Sequence, residues 1–175
     1  MTGAETLRRM AAFFVLITVA LPALAESLGP VSEEDPPAVC NPGWFLRSIT
    51  CTGSYCDNKQ ISCYRPFADA ALGRAEWTPL FSEEQGTRTC PSGFAVAGLA
   101  CRGKYCDSVS LYCVEITNHS FANCTDTRFV SEEQPNQVAV FDNPNYDAAS
   151  QRFVATGLSC KGSYCDNISL RVCEP

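Results

Sequence analysis

The stretch Cys101-Arg102-Gly103-Lys104-Tyr105-Cys106-Asp107 is one of three copies of the frame Cys-x-Gly-x-Tyr-Cys-Asp in this chain. The other copies are Cys51-Thr52-Gly53-Ser54-Tyr55-Cys56-Asp57 and Cys160-Lys161-Gly162-Ser163-Tyr164-Cys165-Asp166. A second repeated motif, Ser-Glu-Glu, lies upstream of each copy. Repetition at a period of about 50 residues indicates a fold assembled from copies of one supersecondary unit.

The copies fill the chain from Glu26 to its end. Aligned on Ser-Glu-Glu, the units are 26–75, 76–124 and 125–175, of 50, 49 and 51 residues. The third unit has about ten extra residues around 142–147, before Cys160. These lengths leave no room for a linker, so we predict a single domain of three repeats.

Residues 1–25 have the three parts of a secretory signal peptide. Arg8 and Arg9 precede the apolar run 11–21, which is too short to span a bilayer, and 23–25 read Ala-Leu-Ala. The arginine pair also hints at twin-arginine export. We therefore predict a secreted protein, extracellular or periplasmic, with no membrane span in the mature chain.

The mature chain is acidic. The full chain has 13 basic and 19 acidic residues. Removal of the signal takes away Arg8, Arg9 and Glu5, which leaves 11 basic and 18 acidic residues and a net charge of -7. Such a charge repels phosphate backbones and anionic membrane surfaces. We therefore expect no nucleic-acid partner.

All twelve cysteines follow the signal, and their even number in an exported chain predicts six disulfides. Zinc is the competing interpretation, but no Cys-x2-Cys occurs and His119 is the only histidine, so we predict no metal and no cofactor. Units one and two share cysteine steps of 11, 5 and 7, whereas the third has Ala139 where its first cysteine is expected. Cys124 is left over, and we predict that its partner lies in the third repeat. The cysteines are Cys40, Cys51, Cys56, Cys63, Cys90, Cys101, Cys106, Cys113, Cys124, Cys160, Cys165 and Cys173.

Each unit is predicted to form two strands joined by the heptapeptide. In the second unit an apolar run, 94–100, leads to Cys101, and Gly103 permits a sharp turn. Val109, Leu111 and Cys113 then alternate on one face. A lone hairpin cannot bury such a face, so three hairpins must share a core. We predict an all-β domain of three disulfide-linked repeats with pseudo-threefold symmetry, a β-prism in preference to the alternative, a β-trefoil.

One family resemblance favours the prism. The residues Cys90-Pro91-Ser92-Gly93-Phe94, then Gly98-Leu99, Asp107 and Leu111-Tyr112-Cys113, resemble the repeat of the vitelline membrane outer layer protein I family. The resemblance covers about half of each unit, and Ser108-Val109-Ser110-Leu111 matches the family's Gly-Ile-Arg-Leu strand only loosely. The resemblance implies three Greek-key sheets around a pseudo-threefold axis, and it implies little about activity.

The tyrosine and aspartate of each heptapeptide are the candidate ligand-binding residues. A carboxylate accepts hydrogen bonds from sugar hydroxyls, and an aromatic ring covers the apolar side of a pyranose. The competing interpretation has the aspartates in Asx turns and the tyrosines in the core. A calcium site on the aspartates lacks a dense carboxylate loop. The candidates are Tyr55, Asp57, Tyr105, Asp107, Tyr164 and Asp166.

Catalysis is not predicted. Glycoside hydrolysis needs one distinct carboxylate pair, whereas Glu33/Glu34, Glu83/Glu84 and Glu132/Glu133 are three like pairs, expected in solvated loops. His119 has no partners for a triad. Trp44 is expected in the core, and Trp77, outside the repeat pattern, is a candidate contact if exposed.

We therefore predict a secreted, non-enzymatic binding module for an extracellular glycan or protein surface. The second hypothesis is a structural envelope or protein-interaction protein, such as an inhibitor. The third is a carbohydrate-active enzyme.

Overall fold

A computed structural model describes residues 25–133, 136–142 and 153–175. Residues 1–24 of the predicted signal peptide, Gln134 and residues 143–147 of the predicted extra segment lie outside this range. Within it the chain forms strands and short 3-10 turns, and no helix there is long and apolar enough to cross a bilayer. The strands are β1 (Glu26–Val31), β2 (Ala38–Val39), β3 (Phe45–Thr52), β4 (Asn58–Tyr64), β5 (Leu72–Trp77), β6 (Thr87–Thr89), β7 (Phe94–Arg102), β8 (Ser108–Ile116), β9 (Ala122–Asp126), β10 (Gln137–Ala139), β11 (Val154–Lys161) and β12 (Asn167–Glu174).

The predicted all-β class is confirmed, and each repeat contributes one long antiparallel hairpin. These hairpins are β3–β4, β7–β8 and β11–β12, and the heptapeptide joins the two strands of each. The register shifts at the same place in all three, after Leu46, Val96 and Ala155. Such a bulge adds twist to a hairpin, so the three units share their backbone irregularities as well as their sequence.

Three four-stranded sheets arise because the repeats exchange strands in a ring. The orders are β1-β4-β3-β10, β2-β7-β8-β5 and β6-β11-β12-β9. β2, β6 and β10, which we call guest strands, each pair with the hairpin of a neighbouring repeat. The first repeat lends its guest strand to the second sheet, the second to the third, and the third to the first. This cyclic exchange makes the fold pseudo-threefold; whether it is a β-prism stays a prediction.

Two glycines make room for the guest strands. Gly98 lies opposite Val39, and a Cβ atom on it would come within 2.6 Å of the Ala38 carbonyl oxygen. Gly157 has the same role beside β6, where a Cβ would lie 2.7 Å from the Arg88 carbonyl oxygen. The Gly-Leu pair of the family resemblance therefore has a local cause, which is close approach of two backbones.

The core fills the space that the inner faces of the sheets enclose. Val109, Leu111 and Cys113 are buried together, as the alternation predicted. Their counterparts Ile61, Cys63, Ile168 and Leu170 lie in the same cluster. The sheets therefore share one apolar interior, to which every repeat contributes.

All twelve cysteines are paired in six disulfides, as predicted. Cys124 bonds Cys173 of the third repeat, which confirms that prediction. Ala139 was predicted to stand where the third repeat lacks its first cysteine, and that prediction is wrong. Ala139 pairs with β3 as Val39 pairs with β7 and as Thr89 pairs with β11, and Val39 and Thr89 each precede the first cysteine of their repeat by one residue. The position of the missing cysteine is therefore the residue after Ala139. The pairs are Cys40–Cys63, Cys51–Cys56, Cys90–Cys113, Cys101–Cys106, Cys124–Cys173 and Cys160–Cys165.

Candidate functional site

Each heptapeptide forms a tight turn that the disulfide between its own two cysteines closes. Gly53, Gly103 and Gly162 have φ near 77°, 75° and 76°, values that suit glycine. The tyrosine that follows each has φ of 58°, 58° or 60°, and the next cysteine is also left-handed. Left-handed geometry at a non-glycine residue costs free energy and persists only where the surroundings enforce it.

The three turns meet at one end of the molecule. The ring of Tyr55 lies 5.1 Å from that of Tyr105 and 5.3 Å from that of Tyr164, and the last two rings are 5.2 Å apart between centroids. The planes are tilted or edge-to-face, which is the favoured geometry for aromatic contacts. The sequence predicted three equivalent positions; the fold converts them into one aromatic cluster, with Tyr55 40% exposed.

Each tyrosine is followed two residues later by an aspartate that is half-buried. Asp57 and Asp166 each accept a 2.7 Å hydrogen bond from the side-chain amide of the next residue, Asn58 or Asn167. The three tyrosines and the three aspartates Asp57, Asp107 and Asp166 make up what we call the tyrosine face.

Asp107 has a different environment from its two counterparts. Partial burial, a hydrogen bond with the Glu83 carboxyl group and the negative charges of Glu83 and Glu84 raise the pKa of Asp107. Glu83 also accepts a 3.4 Å hydrogen bond from the backbone N–H of Tyr164. One Ser-Glu-Glu segment therefore lies against the tyrosine face and connects two repeats.

A buried lysine, Lys59, lies at the same end of the core. Its side chain is 0% exposed, and its ammonium group donates a 2.6 Å hydrogen bond to the Cys56 carbonyl oxygen. Burial lowers the pKa of Lys59 to about 8, against the opposing attraction of Asp57, Asp166 and Glu33. Perturbed titrating groups are more frequent at functional sites than elsewhere.

Sequence reasoning missed Lys59, although the register shows what would have identified it. Lys59 pairs with Cys51 as Val109 pairs with Cys101 and Ile168 with Cys160. Aligning the three second strands places a lysine where the other repeats have buried aliphatic side chains. That departure from the repeat is the available signal.

The other residues singled out in the sequence are spread over the surface. Four of the six glutamates in the Ser-Glu-Glu segments, Glu33, Glu34, Glu84 and Glu133, are exposed. His119 stacks on Phe67 with centroids 4.1 Å apart and lies 3.8 Å from an Asp69 carboxylate oxygen. No cluster of three or more histidine, cysteine, aspartate or glutamate side chains in the described segments is arranged to hold a metal ion.

Neither of the two tryptophans is fully buried. Trp44 was predicted in the core, and it is half-buried, packed against the core from its edge. Trp77 was a candidate contact if exposed, and it is 39% exposed. Its ring contacts that of Tyr112, 5.0 Å away between centroids.

A scan of protein-family models, a search of curated proteins and a search of solved structures each found no match to this chain, so the resemblance to the vitelline membrane outer layer protein I family stays a prediction.

Proposed function

We propose that this protein is a secreted, non-enzymatic binding module and that the tyrosine face holds a glycan. The observation that supports the proposal is the convergence of three tyrosine rings beside three aspartates. Aromatic rings offer apolar surface to a pyranose, and carboxylates accept bonds from its hydroxyl groups. Pairing of all cysteines in six bridges fits an oxidising environment of the kind that exported proteins meet.

The convergence changes the expected valency. Three separated sites predict trivalent binding, whereas one cluster around the pseudo-threefold axis predicts one ligand group per molecule. The rigid turns favour recognition, because a preorganised surface loses little conformational entropy when it binds. Left-handed tyrosines held by short disulfide loops supply that rigidity.

A glycan array tests this proposal. We expect the wild-type protein to bind at least one class of glycan, and the triple variant Asp57→Asn/Asp107→Asn/Asp166→Asn to lose binding by about tenfold or more, since an amide is a weaker acceptor than a carboxylate. The triple variant Glu34→Gln/Asp69→Asn/Glu133→Gln is the matched control, because it removes the same charge from exposed residues that do not influence Lys59 or Asp107. Equal loss in both variants would contradict a specific role of the aspartates.

A basic protein surface is the second candidate ligand. The observation that favours it is the acidity of this end, where Glu33, Glu83 and Glu84 influence the titration of Lys59 or Asp107. Clustered carboxylates attract cationic partners, and that attraction falls with ionic strength. Binding of a lysine- and arginine-rich peptide that disappears between about 0.05 and 0.5 M salt, without any glycan binding, would favour this candidate.

We do not propose a catalytic activity for the tyrosine face. An active site is asymmetric, with groups whose pKa values are pushed apart, whereas the tyrosine face repeats one motif. A carbohydrate-active enzyme, the third hypothesis, would release sugar from the polysaccharides that the array identifies, and reducing-sugar assays on those polymers test it.

A further inference from the structure

A cavity of about 290 Å³ lies on the outer face of the second sheet. Tyr112 and Val114 of β8 form part of its lining, and the segment 40–45 from the first repeat encloses one side. Trp44 belongs to that segment, and Leu72 of β5 lies on another side. Trp77 extends the aromatic surface through its contact with Tyr112.

The same place on the other sheets has different chemistry. Tyr112 pairs with Gly98 and Trp77, and the equivalent Arg171 of the third sheet pairs with Gly157 and Asp126. There the side chains form an ion pair, with 3.3 Å between Arg171 Nη1 and an Asp126 carboxylate oxygen. On the first sheet the equivalent pair is Ser27 and Ser62.

The fold does not need an aromatic pair at this position. Two serines occupy the equivalent pair of positions on the first sheet and an ion pair occupies it on the third, so the architecture does not require aromatic side chains there. Trp77 nevertheless keeps 39% of its surface exposed, and Leu72 and Val39 beside the cavity are each 41% exposed. A concave apolar patch of this kind, maintained at one of three equivalent places, is typical of a ligand site.

We propose that this cavity, which we call the aromatic cleft, binds one neutral pyranose residue of an extracellular glycan. Its volume is at the lower end of the range for ligand cavities, about 300–1,000 Å³, so it suits a ring-sized group. The rings of Trp44 and Tyr112 line the cavity, and the ring of Trp77, outside the lining but in contact with Tyr112, extends the aromatic surface for the apolar side of the sugar. The site is separate from the tyrosine face and does not depend on the glycan proposal made for it.

The polar groups at the rim favour a neutral sugar. Asn41 lines the cleft, and both its side-chain amide and its backbone N–H donate to the Glu26 carboxylate, at 2.8 and 3.2 Å. Glu115 accepts a hydrogen bond from the backbone N–H of Arg74, next to the lining residue Gly73, and the Arg74 side chain, with its Nε 3.5 Å away, offsets the charge of that carboxylate. The Glu26 carboxylate beside Asn41 therefore supplies the acceptors for hydroxyl groups and the charge that repels uronic acids and sulfated sugars.

The repeats themselves supply the test variants. Trp77→Ser and Tyr112→Ser install the side chains that the first sheet carries at Ser27 and Ser62. Asp126→Ser/Arg171→Ser makes the same change on the third sheet and is the matched control. Because Tyr112 also packs on an apolar cluster, the exposed Trp77→Ser variant alone keeps the test independent of folding. Thermal unfolding midpoints verify that each variant is folded.

Affinity is measured by calorimetry with neutral oligosaccharides of glucose, galactose, mannose, xylose and N-acetylglucosamine, and with uronate and sulfated oligosaccharides. A neutral sugar should bind the wild type and the control equally, and Trp77→Ser about tenfold more weakly. The sugar should also shift the indole N–H signal of Trp77 in the wild type. Binding that Trp77→Ser leaves unchanged, a preference for anionic sugars, or no binding of any neutral sugar would overturn the proposal.

The two binding proposals fail separately. If the aspartate variants of the tyrosine face lose glycan binding while Trp77→Ser retains it, the aromatic cleft is rejected and the face is supported. The converse result rejects the face and supports the cleft. If each set of variants lowers affinity alone, one molecule holds two sugar positions and gains avidity on long polymers.

Discussion

Replacing the buried Lys59 by methionine should remove a specific component of the pH dependence of folding. Methionine keeps the unbranched apolar stem but cannot carry charge. Val109 and Ile168 already occupy the equivalent positions in the other repeats, so an apolar side chain is compatible with this part of the core. The variant therefore isolates the ammonium group.

The magnitude follows from the lowered pKa. The pKa of Lys59 falls from 10.5 to about 8, and each unit corresponds to about 1.4 kcal/mol. At pH 7 both the folded and the unfolded state are protonated, so the folded protein bears the full cost of the buried charge, about 3 kcal/mol. Above pH 8 the folded state loses its proton before the unfolded state does. By about pH 9.5, roughly 2 kcal/mol of that cost is relieved.

Guanidinium unfolding followed by tryptophan fluorescence at pH 7 and about pH 9.5 measures this difference. Relative to Lys59→Met, the wild type should gain about 2 kcal/mol of unfolding free energy over that interval. The control Lys161→Met, which removes an exposed lysine, should follow the wild type. Parallel pH profiles of the wild type and Lys59→Met would refute the reasoning, because they would mean that burial does not disfavour the charged amine.

Three further results are expected. Replacing both Cys40 and Cys63 by serine opens a loop of 23 residues and should lower the unfolding free energy by about 3 kcal/mol, measured by chemical denaturation. Gly53→Ala and Gly103→Ala should both destabilise by about 1–3 kcal/mol in the same assay, because both positions have positive φ. Gly53→Ala should cost more, since its new methyl group overlaps the neighbouring aspartate, whereas at Gly103 the nearest atom is 3.7 Å away; equal costs would contradict this. Asp107→Asn should raise the thermal midpoint at pH 7 and not at pH 3, because a raised pKa means that the ionised carboxylate is disfavoured in the folded state.

The repeat predicted much of this fold because its signal is local. The alternation of Val109, Leu111 and Cys113 marks an inward face, and the heptapeptide marks a turn. The guest strands were not predicted, since β2 has only two residues and β6 three, too few for an alternating pattern to show. Their pairing depends on how hairpins from different repeats are arranged in space.

The candidate site was predicted in its residues and not in its arrangement. Tyr55, Tyr105 and Tyr164 are far apart in sequence, and no local pattern reports that their rings meet. The aromatic cleft was missed for a related reason. Tyr112 and Trp77 belong to the same predicted repeat, but Trp77 lies outside the repeated pattern, and only the pairing of β5 with β8 brings the two side chains together.

The ring of exchanged strands has a consequence for the order in which the molecule matures. The first sheet lacks a member until β10 of the third repeat is present, so the sheets cannot be completed one after another as the chain is synthesised. The disulfides Cys51–Cys56 and Cys40–Cys63 span 5 and 23 residues, and each needs residues of the first repeat alone. Formation of these bridges is therefore local, whereas completion of the first sheet depends on a contact of long sequence separation, and such contacts form slowly.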